Sequence, residues 1–362
     1  MDRVELRWQD YCLTPEQSAL QDSFRAYFTD MSPPEVVRAA GATGYDAALW
    51  RGLVKLGVAS MGVPEPAGGD GAGLVELALV AETAGFAAAP VPLVSHVVAT
   101  RVLAATAPDG AAFAAALAGE PACLALRPAQ GGARQLVPGS AVATRVVALV
   151  DDTLVATSAG LPAPLTPNQG STPLGWWTPE PGEPGAPGER VATGSAATTA
   201  HTRAVAEWKI LQAAQLVGLT QAALDDAVAC VSTRQTLGVP IGSLQGVSFP
   251  LADVAIGVAS ARNLVRRAAW TLDHEPDLRP DLPSVAWHHA VDVATRGTTT
   301  AAHVQGGLGY LTDSAASLYV LRAKGWGVLA GDPQRDLVAI GAALAARTTT
   351  GGTGELTERT TR

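Results

Sequence analysis

The sequence predicts a mainly α-helical chain with a small β domain in its middle. Three observations carry that expectation. Apolar residues recur at helical spacing from residue 14 to about 118, and again from about 204 onward. Between these stretches the period changes and β-branched runs appear. A segment crowded with proline and glycine follows those runs.

The first helix opens at LTPEQSALQDSFRAYF, where Thr14 caps, Pro15 takes the first helical position and Gln17 closes a capping box. AALWRGLVKLGVASMGVPEP keeps helical spacing until Gly62 and Pro64. GGDGAGLVELALVAETAGFAAAP then gives a glycine loop and another helix, so three or four helices fill residues 14 to about 118. From Ala122, ACLAL and TRVVALVDDTLVATSA read as strands, the second turned back at Asp151-Asp152 as a hairpin. LPAPLTPNQGSTPLGWWTPEPGEPGAPGER holds too many prolines for a helix or a sheet ladder and reads as a long loop. Its Trp176-Trp177 pair is either a partner anchor or, the reading preferred, a loop indole covering core. Helices resume at about Ala204, break at STRQTLGVPIGSLQGVSFPLADV and continue to the C-terminal region, giving a bundle of four or five. The expected divisions are a helical domain over 1–120, a reduced β domain with the Pro/Gly-rich loop over 121–200, a helical bundle over 201–346 and a disordered tail over 347–362.

Of the 362 residues, 48% are hydrophobic and 16% charged, enough for a sizeable core in two or three domains. A net charge of -8 speaks against non-specific nucleic-acid binding, which needs surplus Lys and Arg. Cys12, Cys123 and Cys230 show no CxxC spacing and read as reduced structural thiols rather than a metal site or disulfides. MDRVELRWQDYCLTPEQ lacks an apolar signal region, and no run reaches the roughly 18 apolar residues of a membrane span. A cytoplasmic protein without metal, membrane span or nucleic-acid partner is expected.

Two glycine-bearing breaks stand out, STRQTLGVPIG at 232–242 and HVQGGLGYLTD at 303–313. Arg234 and Gly238 alone read as an ordinary helix C-terminus. Together with the second glycine cluster they suit a pyrophosphate: bare N–H groups approach the anion while a guanidinium supplies charge.

These stretches resemble a known family, the acyl-CoA dehydrogenases. TRQTLGVPIGSLQGVSFPLADVA is similar to the family's RxQFGxPIxxFQxxxxxLADMA signature, HVQGGLGY to its QxxGGxGY, and VPEPAGGDGAGLVELALVAE to its first glycine loop and helix. The resemblance covers essentially the whole chain. It implies three domains: N-terminal helices, a central β-barrel and a C-terminal four-helix bundle. FAD lies between subunits in the family, its pyrophosphate and adenosine held by the arginine and glycine turn of one subunit, its flavin ring seated by the neighbour. Arg234, Gly238, Gln245, Gly306, Gly307 and Gly309 match the motif residue by residue. Thr236 and Leu237 replace its glutamine and phenylalanine, Leu244 its second aromatic, and His303 its opening glutamine. Each swap removes an amide or a stacking ring, so a weakened or altered FAD contact is expected. With Gln305 inside the turn, the candidate cofactor-binding residues are Arg234, Thr236, Gly238, Gln245, His303, Gln305, Gly306, Gly307 and Gly309. His303 either donates to an adenosine group or serves as a capping or core histidine.

The chemistry the resemblance implies is α,β-desaturation of an acyl-CoA, with a carboxylate taking the α-proton as the β-hydrogen leaves as hydride. The family's two base positions fall on Ala330 in LAGDPQ and on Trp208, and neither accepts a proton. Glu207 is rotated about 100° from Trp208 on the helix. Asp313 reads as a base or as a helix N-cap. No catalytic residue is assigned. The prolines within GWWTPEP exclude a central strand, so a complete flavin seat is not expected within this chain. GGDGAG lacks nucleotide-loop spacing, His288-His289 are set wrongly for chelating one metal, and no G-x-S-x-G occurs.

The chain resembles the smaller, non-catalytic subunit of α2β2 acyl-CoA dehydrogenases of bacterial steroid degradation. That implies an acyl-CoA substrate, steroid-derived by resemblance alone, a second acyl-CoA dehydrogenase subunit as partner and an electron-transfer acceptor. Two alternatives stay open: a self-sufficient homo-oligomeric dehydrogenase with Asp313 as base, and a flavin-free scaffold or binding protein of the same fold.

Overall fold

The capping box at Thr14 forms. Thr14 Oγ1 accepts from the Gln17 N–H at 3.2 Å and Gln17 Oε1 accepts from the Thr14 N–H at 3.1 Å, opening α1 (Pro15–Met31) with Pro15 in its first turn. The computed structural model describes residues 12–130, 133–158, 160–179 and 188–350. After α1 come α2 (Pro34–Ala39), α3 (Ala47–Lys55), α4 (Leu74–Phe86), α5 (Leu93–Thr106) and α6 (Ala111–Leu117), six helices where periodicity predicted three or four. The additional ones include α2 and α6, of six and seven residues, too short to display a helical period. Nearly every face of α4 and α5 is buried, which is why their sequences lack a polar stripe.

The small β domain contains β1 (Ala122–Leu124), β2 (Gln135–Pro138), β3 (Arg145–Val150), β4 (Thr153–Thr157), β5 (Leu174–Trp177) and β6 (Gly188–Thr193). Strands β1, β3, β4 and β6 form one sheet in the order β1-β3-β4-β6, with β1 parallel to β3. The β3–β4 hairpin turns at Asp151, whose φ of 52° is one that aspartate tolerates. The expectation of an unbroken loop over 161–190 is corrected, because β5 pairs antiparallel with β2. Its four residues carry no proline, with Pro173 before and Pro179 after, so β5 itself keeps every N–H donor that proline lacks. Residues 180–187 of that segment lie outside the described residues. Trp177 packs with Cys123, Val137, Val146 and Ala148 in the small core, as the blander reading had it, but Trp176 is 44% exposed.

The bundle is built on α7 (Gly194–Thr233), 40 residues long and so about 60 Å. It begins before the expected start near Ala204. GSAATTAHTR is a poor helix former by composition, but tertiary contacts override this: Ala197 and His201 are buried, and His201 Nε2 lies 2.8 Å from the Ala125 carbonyl in the β domain. After a break come α8 (Gln245–His274), α9 (Leu282–Val304), α10 (Ala315–Gly327) and α11 (Pro333–Thr350). Helix α11 therefore takes up the first residues of the expected tail, and 351–362 lie outside the described residues, as do 1–11. No described helix is long and apolar enough to cross a membrane.

Helices α4 and α7 cross with almost no space between their backbones. A Cβ on Gly85 would stand 1.9 Å from the Gln215 carbonyl oxygen, and one on Gly218 would stand 1.9 Å from that of Glu82. Beside this crossing an ion network joins the layers. Glu207 accepts from Arg101 Nε at 2.9 Å and Arg203 Nε at 3.0 Å, Arg203 also reaches Asp273 at 3.0 Å, and Asp273 accepts from the Leu74 N–H at the start of α4 at 2.7 Å.

Candidate functional site

Arg234 ends α7 and its main chain enters a hairpin of β7 (Gln235–Thr236) and β8 (Val239–Pro240). The two-residue turn holds Leu237 at φ 51° and Gly238 at φ 80°, the doubly left-handed turn that matches the twist of a hairpin. Glycine adopts this freely, whereas leucine pays about 1–2 kcal/mol. Leu237 is nonetheless 94% exposed, so no packing among the described residues holds it there.

The second break follows α9. His303 is exposed in the last turn and Gln305 is buried, its Nε2 donating to Asp226 on α7 at 2.8 Å. Residues Gly306–Tyr310 wind as a 3₁₀ turn. Gly306 has φ 64°, and a Cβ there would stand 3.4 Å from Arg234 Nη1; around Gly307 a Cβ would meet nothing within 4 Å. Gly309 is different, since a Cβ would fall 2.2 Å from the Ala302 carbonyl, so it serves close packing of the turn on α9.

The two breaks meet. Arg234 Nη1 donates to the Gln305 carbonyl at 2.9 Å, and no carboxylate pairs with Arg234 among the described residues. A guanidinium that is positioned but not neutralised thus lies beside an open glycine turn, an arrangement receptive to an anion. Thr236 lies exposed in β7 and Gln245 exposed at the start of α8, both near the hairpin in sequence, and His303 lies at the end of α9. Val239, Leu244, Phe249, Leu308, Tyr310 and Leu311 are exposed on these same two breaks and the adjoining start of α8.

The base positions hold no available carboxylate. Trp208 is buried and packs against Trp287 at 5.3 Å between ring centroids. Ala330 follows α10 in an irregular turn. Both oxygens of Glu207 already accept from guanidinium groups. Asp313 does not cap α10; Ser314 does, accepting from the Ser317 N–H at 3.0 Å. Asp313 is exposed, with its carbonyl accepting from Arg38 at 2.8 Å, and does not stand in a dry pocket.

One feature escapes sequence reasoning. A groove of about 700 Å³ runs between the β2–β5 pair and α10, lined among others by Arg127, Arg134, Asn168, Trp176, Lys324 and Val328. The Arg134 guanidinium lies 5.1 Å from the Trp176 ring centroid. These cations are scattered from Arg127 to Lys324 of a net-acidic chain, and no spacing announces them.

The fold is mainly helical, with a small β domain between two helical regions. Models of the acyl-CoA dehydrogenase N-terminal and C-terminal domains match residues 14–109 and 198–345, and the chain belongs to the acyl-CoA dehydrogenase family. It is similar to acyl-CoA dehydrogenase IpdE2 of Mycolicibacterium smegmatis, at 28% identity over 335 residues, covering 90% of this chain and 97% of that protein. Among solved structures, the ChsE4-ChsE5 complex of Mycobacterium tuberculosis matches at TM-score 0.80 and 25% identity, over 93% of this chain and 99% of the other. The steroid ACAD Tcur3481-Tcur3483, as a G363A variant, matches in fold at TM-score 0.81 and 24% identity, over 92% and 99%.

Proposed function

We propose that the chain is the non-catalytic subunit of an FAD-dependent acyl-CoA dehydrogenase, completing in trans the FAD site of a catalytic partner. The observation that carries this is Arg234 held at 2.9 Å on the Gln305 carbonyl beside Gly306 and Gly307. These residues fit a diphosphate: the guanidinium is unneutralised among the described residues, and the turn is open at Gly307. When bound, FAD supplies the hydride acceptor. This chain's part is to hold its diphosphate through Arg234 and the turn, with Thr236, Gln245 and His303 at the rim and Gln305 buried beneath, bracing the turn through Asp226. Leu237 and the apolar residues around both breaks would be covered by the partner, which explains a strained leucine at an exposed tip.

Absence of a free carboxylate at 207, 208 and 330 supports assigning proton abstraction to the other subunit. The likeness to a two-component ChsE4-ChsE5 complex supports a heteromeric assembly. A steroid-derived acyl group is the substrate class proposed, following the Tcur3481-Tcur3483 steroid enzyme of the same fold. An electron-transfer protein would reoxidise the flavin.

A second reading has one observation in its favour. The 700 Å³ groove with Trp176 and three cations is roomy enough for a ligand held by this chain itself. Expression with and without a catalytic partner, followed by flavin content, decides between them. The heteromeric reading expects one FAD per pair and none on the chain alone. A chain that alone carries FAD and oxidises an acyl-CoA would establish the self-sufficient form, and an assembly without flavin would establish the scaffold.

A further inference from the structure

We propose that a recess between α5, α7, α10 and residues 171–173 is a binding site for a carboxylate group, with Arg322 as its charge partner. The recess has a volume of about 50 Å³ and its lining includes Ser95, Thr172, Gln212, Gln215, Arg322 and Trp326. Arg322 is 2% exposed. Its Nη1 donates to the Ala88 carbonyl at 2.8 Å and its guanidinium lies 5.5 Å from the Trp326 ring centroid, yet its Nε–H has no acceptor. No carboxylate pairs with it among the described residues. Thr172, also buried, leaves its hydroxyl without a partner. Gln212 and Gln215 are buried too, and neither side-chain amide makes a hydrogen bond among the described residues.

Buried polar groups are ordinarily paired, and an unpaired buried charge costs several kcal/mol. Arg322 Nε and Thr172 Oγ1, both without a partner, meet at one recess with the amides of Gln212 and Gln215 and are therefore arranged for something that enters it. Its sign is set by the lining, which contains an arginine, amides and hydroxyls but no aspartate or glutamate. Burial pushes the Arg322 pKa down to about 10, with Tyr319 acting in opposition, so the cation persists at neutral pH. Its size is set by the volume: at about 10–15 Å³ for each water-sized occupant, the recess holds about four heavy atoms. A carboxylate and its adjoining carbon fit, and a guanidinium is its planar complement. Leu329 lines both the recess and the large groove, so the carboxylate is either a free small acid or the far end of a longer ligand lying in the groove. The site stands independently of the FAD reading.

Thermal unfolding of the full chain tests this, comparing sodium acetate, chloride and phosphate at matched ionic strength, and glutaryl-CoA with butyryl-CoA. Acetate or glutaryl-CoA is expected to raise the Tm by about 2–4 °C over its control. A rise with acetate identifies a free acid; a rise with glutaryl-CoA but with neither acetate nor butyryl-CoA identifies a ligand's terminal carboxylate. In Arg322→Met the shift should vanish, and in Thr172→Val it should shrink. If Arg322→Met does not fold, Thr172→Val and Gln212→Leu carry the comparison. The proposal is overturned by equal Tm values throughout, which would leave the recess to water, by a response to phosphate alone, or by an undiminished shift in the variants.

Discussion

Arg234 Nη1 donates to the Gln305 carbonyl across 71 positions of sequence, joining the C-terminal ends of α7 and α9 into one edge. Because that bond uses one of five guanidinium donors, Arg234→Ala should leave folding nearly intact while removing the charge offered to a diphosphate. Loss of a charged hydrogen bond of about 1.5–3 kcal/mol predicts a roughly 10- to 100-fold weaker retention of FAD by the assembled enzyme. Fluorescence titration of the deflavinated assembly measures it, and unchanged affinity would remove Arg234 from the site.

The three glycines of the second break should respond differently to alanine. Gly307→Ala is expected to be nearly neutral for stability, since the added carbon meets nothing within 4 Å. Gly306→Ala, at φ 64°, should cost about 1–2 kcal/mol, and Gly309→Ala should cost more because its carbon would overlap the Ala302 carbonyl. Denaturant midpoints of the three variants give the order directly.

Glu207 is a structural anion rather than a base. Glu207→Gln leaves Arg101 and Arg203 short of a charge partner, and disrupting such a buried pair costs about 3 kcal/mol. The expected signature is a large fall in Tm with an unchanged pH–rate profile for the assembled enzyme. A profile that loses its acid-side limb would instead make Glu207 catalytic.

Stability should fall in mild acid. His96 is fully buried, accepts from the Ala122 N–H at 3.2 Å, and has its pKa pushed down to about 3 by burial. An unfolded histidine binds its proton near pH 6.5, so below that value the unfolded state holds more protons than the native one. The contribution is complete above pH 6.5 and is lost as pH falls toward 3, by about 2 kcal/mol between pH 7 and pH 5. Burial lowers the His201 pKa as well, adding in the same direction. Urea unfolding at the two pH values measures the loss, and His96→Asn, which keeps an acceptor for Ala122, should flatten the dependence.

Leu237→Asp tests the partner-facing tip. The side chain is 94% exposed, so the isolated chain should unfold within about 0.5 kcal/mol of the parent, as surface substitutions do. Co-purification with the catalytic subunit should be lost. Retained assembly would show that the tip remains in solvent.

Much of this architecture was legible in the residues. The Thr14-Pro15-Gln17 start, the Asp151-Asp152 hairpin and the two glycine breaks announce themselves because local chemistry decides them. Strand β5 did not, since four proline-free residues among many prolines look like loop until β2 pairs with them. The early start of α7 depends on His201 and Ala197 packing on another domain, which composition does not record. Arg322 was equally hidden. Nothing in LYVLRAKGWG marks it, and only the fold removes it from water with no carboxylate partner among the described residues.

The α4–α7 crossing bears on how anything enters this molecule. With Gly85 and Gly218 each admitting only a hydrogen against the opposing backbone, the N-terminal helices are keyed to the bundle and have no freedom to swing like a jaw. Leu329 lines both the recess at Arg322 and the groove on the β2–β5 side, so bulk added there would narrow the way between the two without touching either helix.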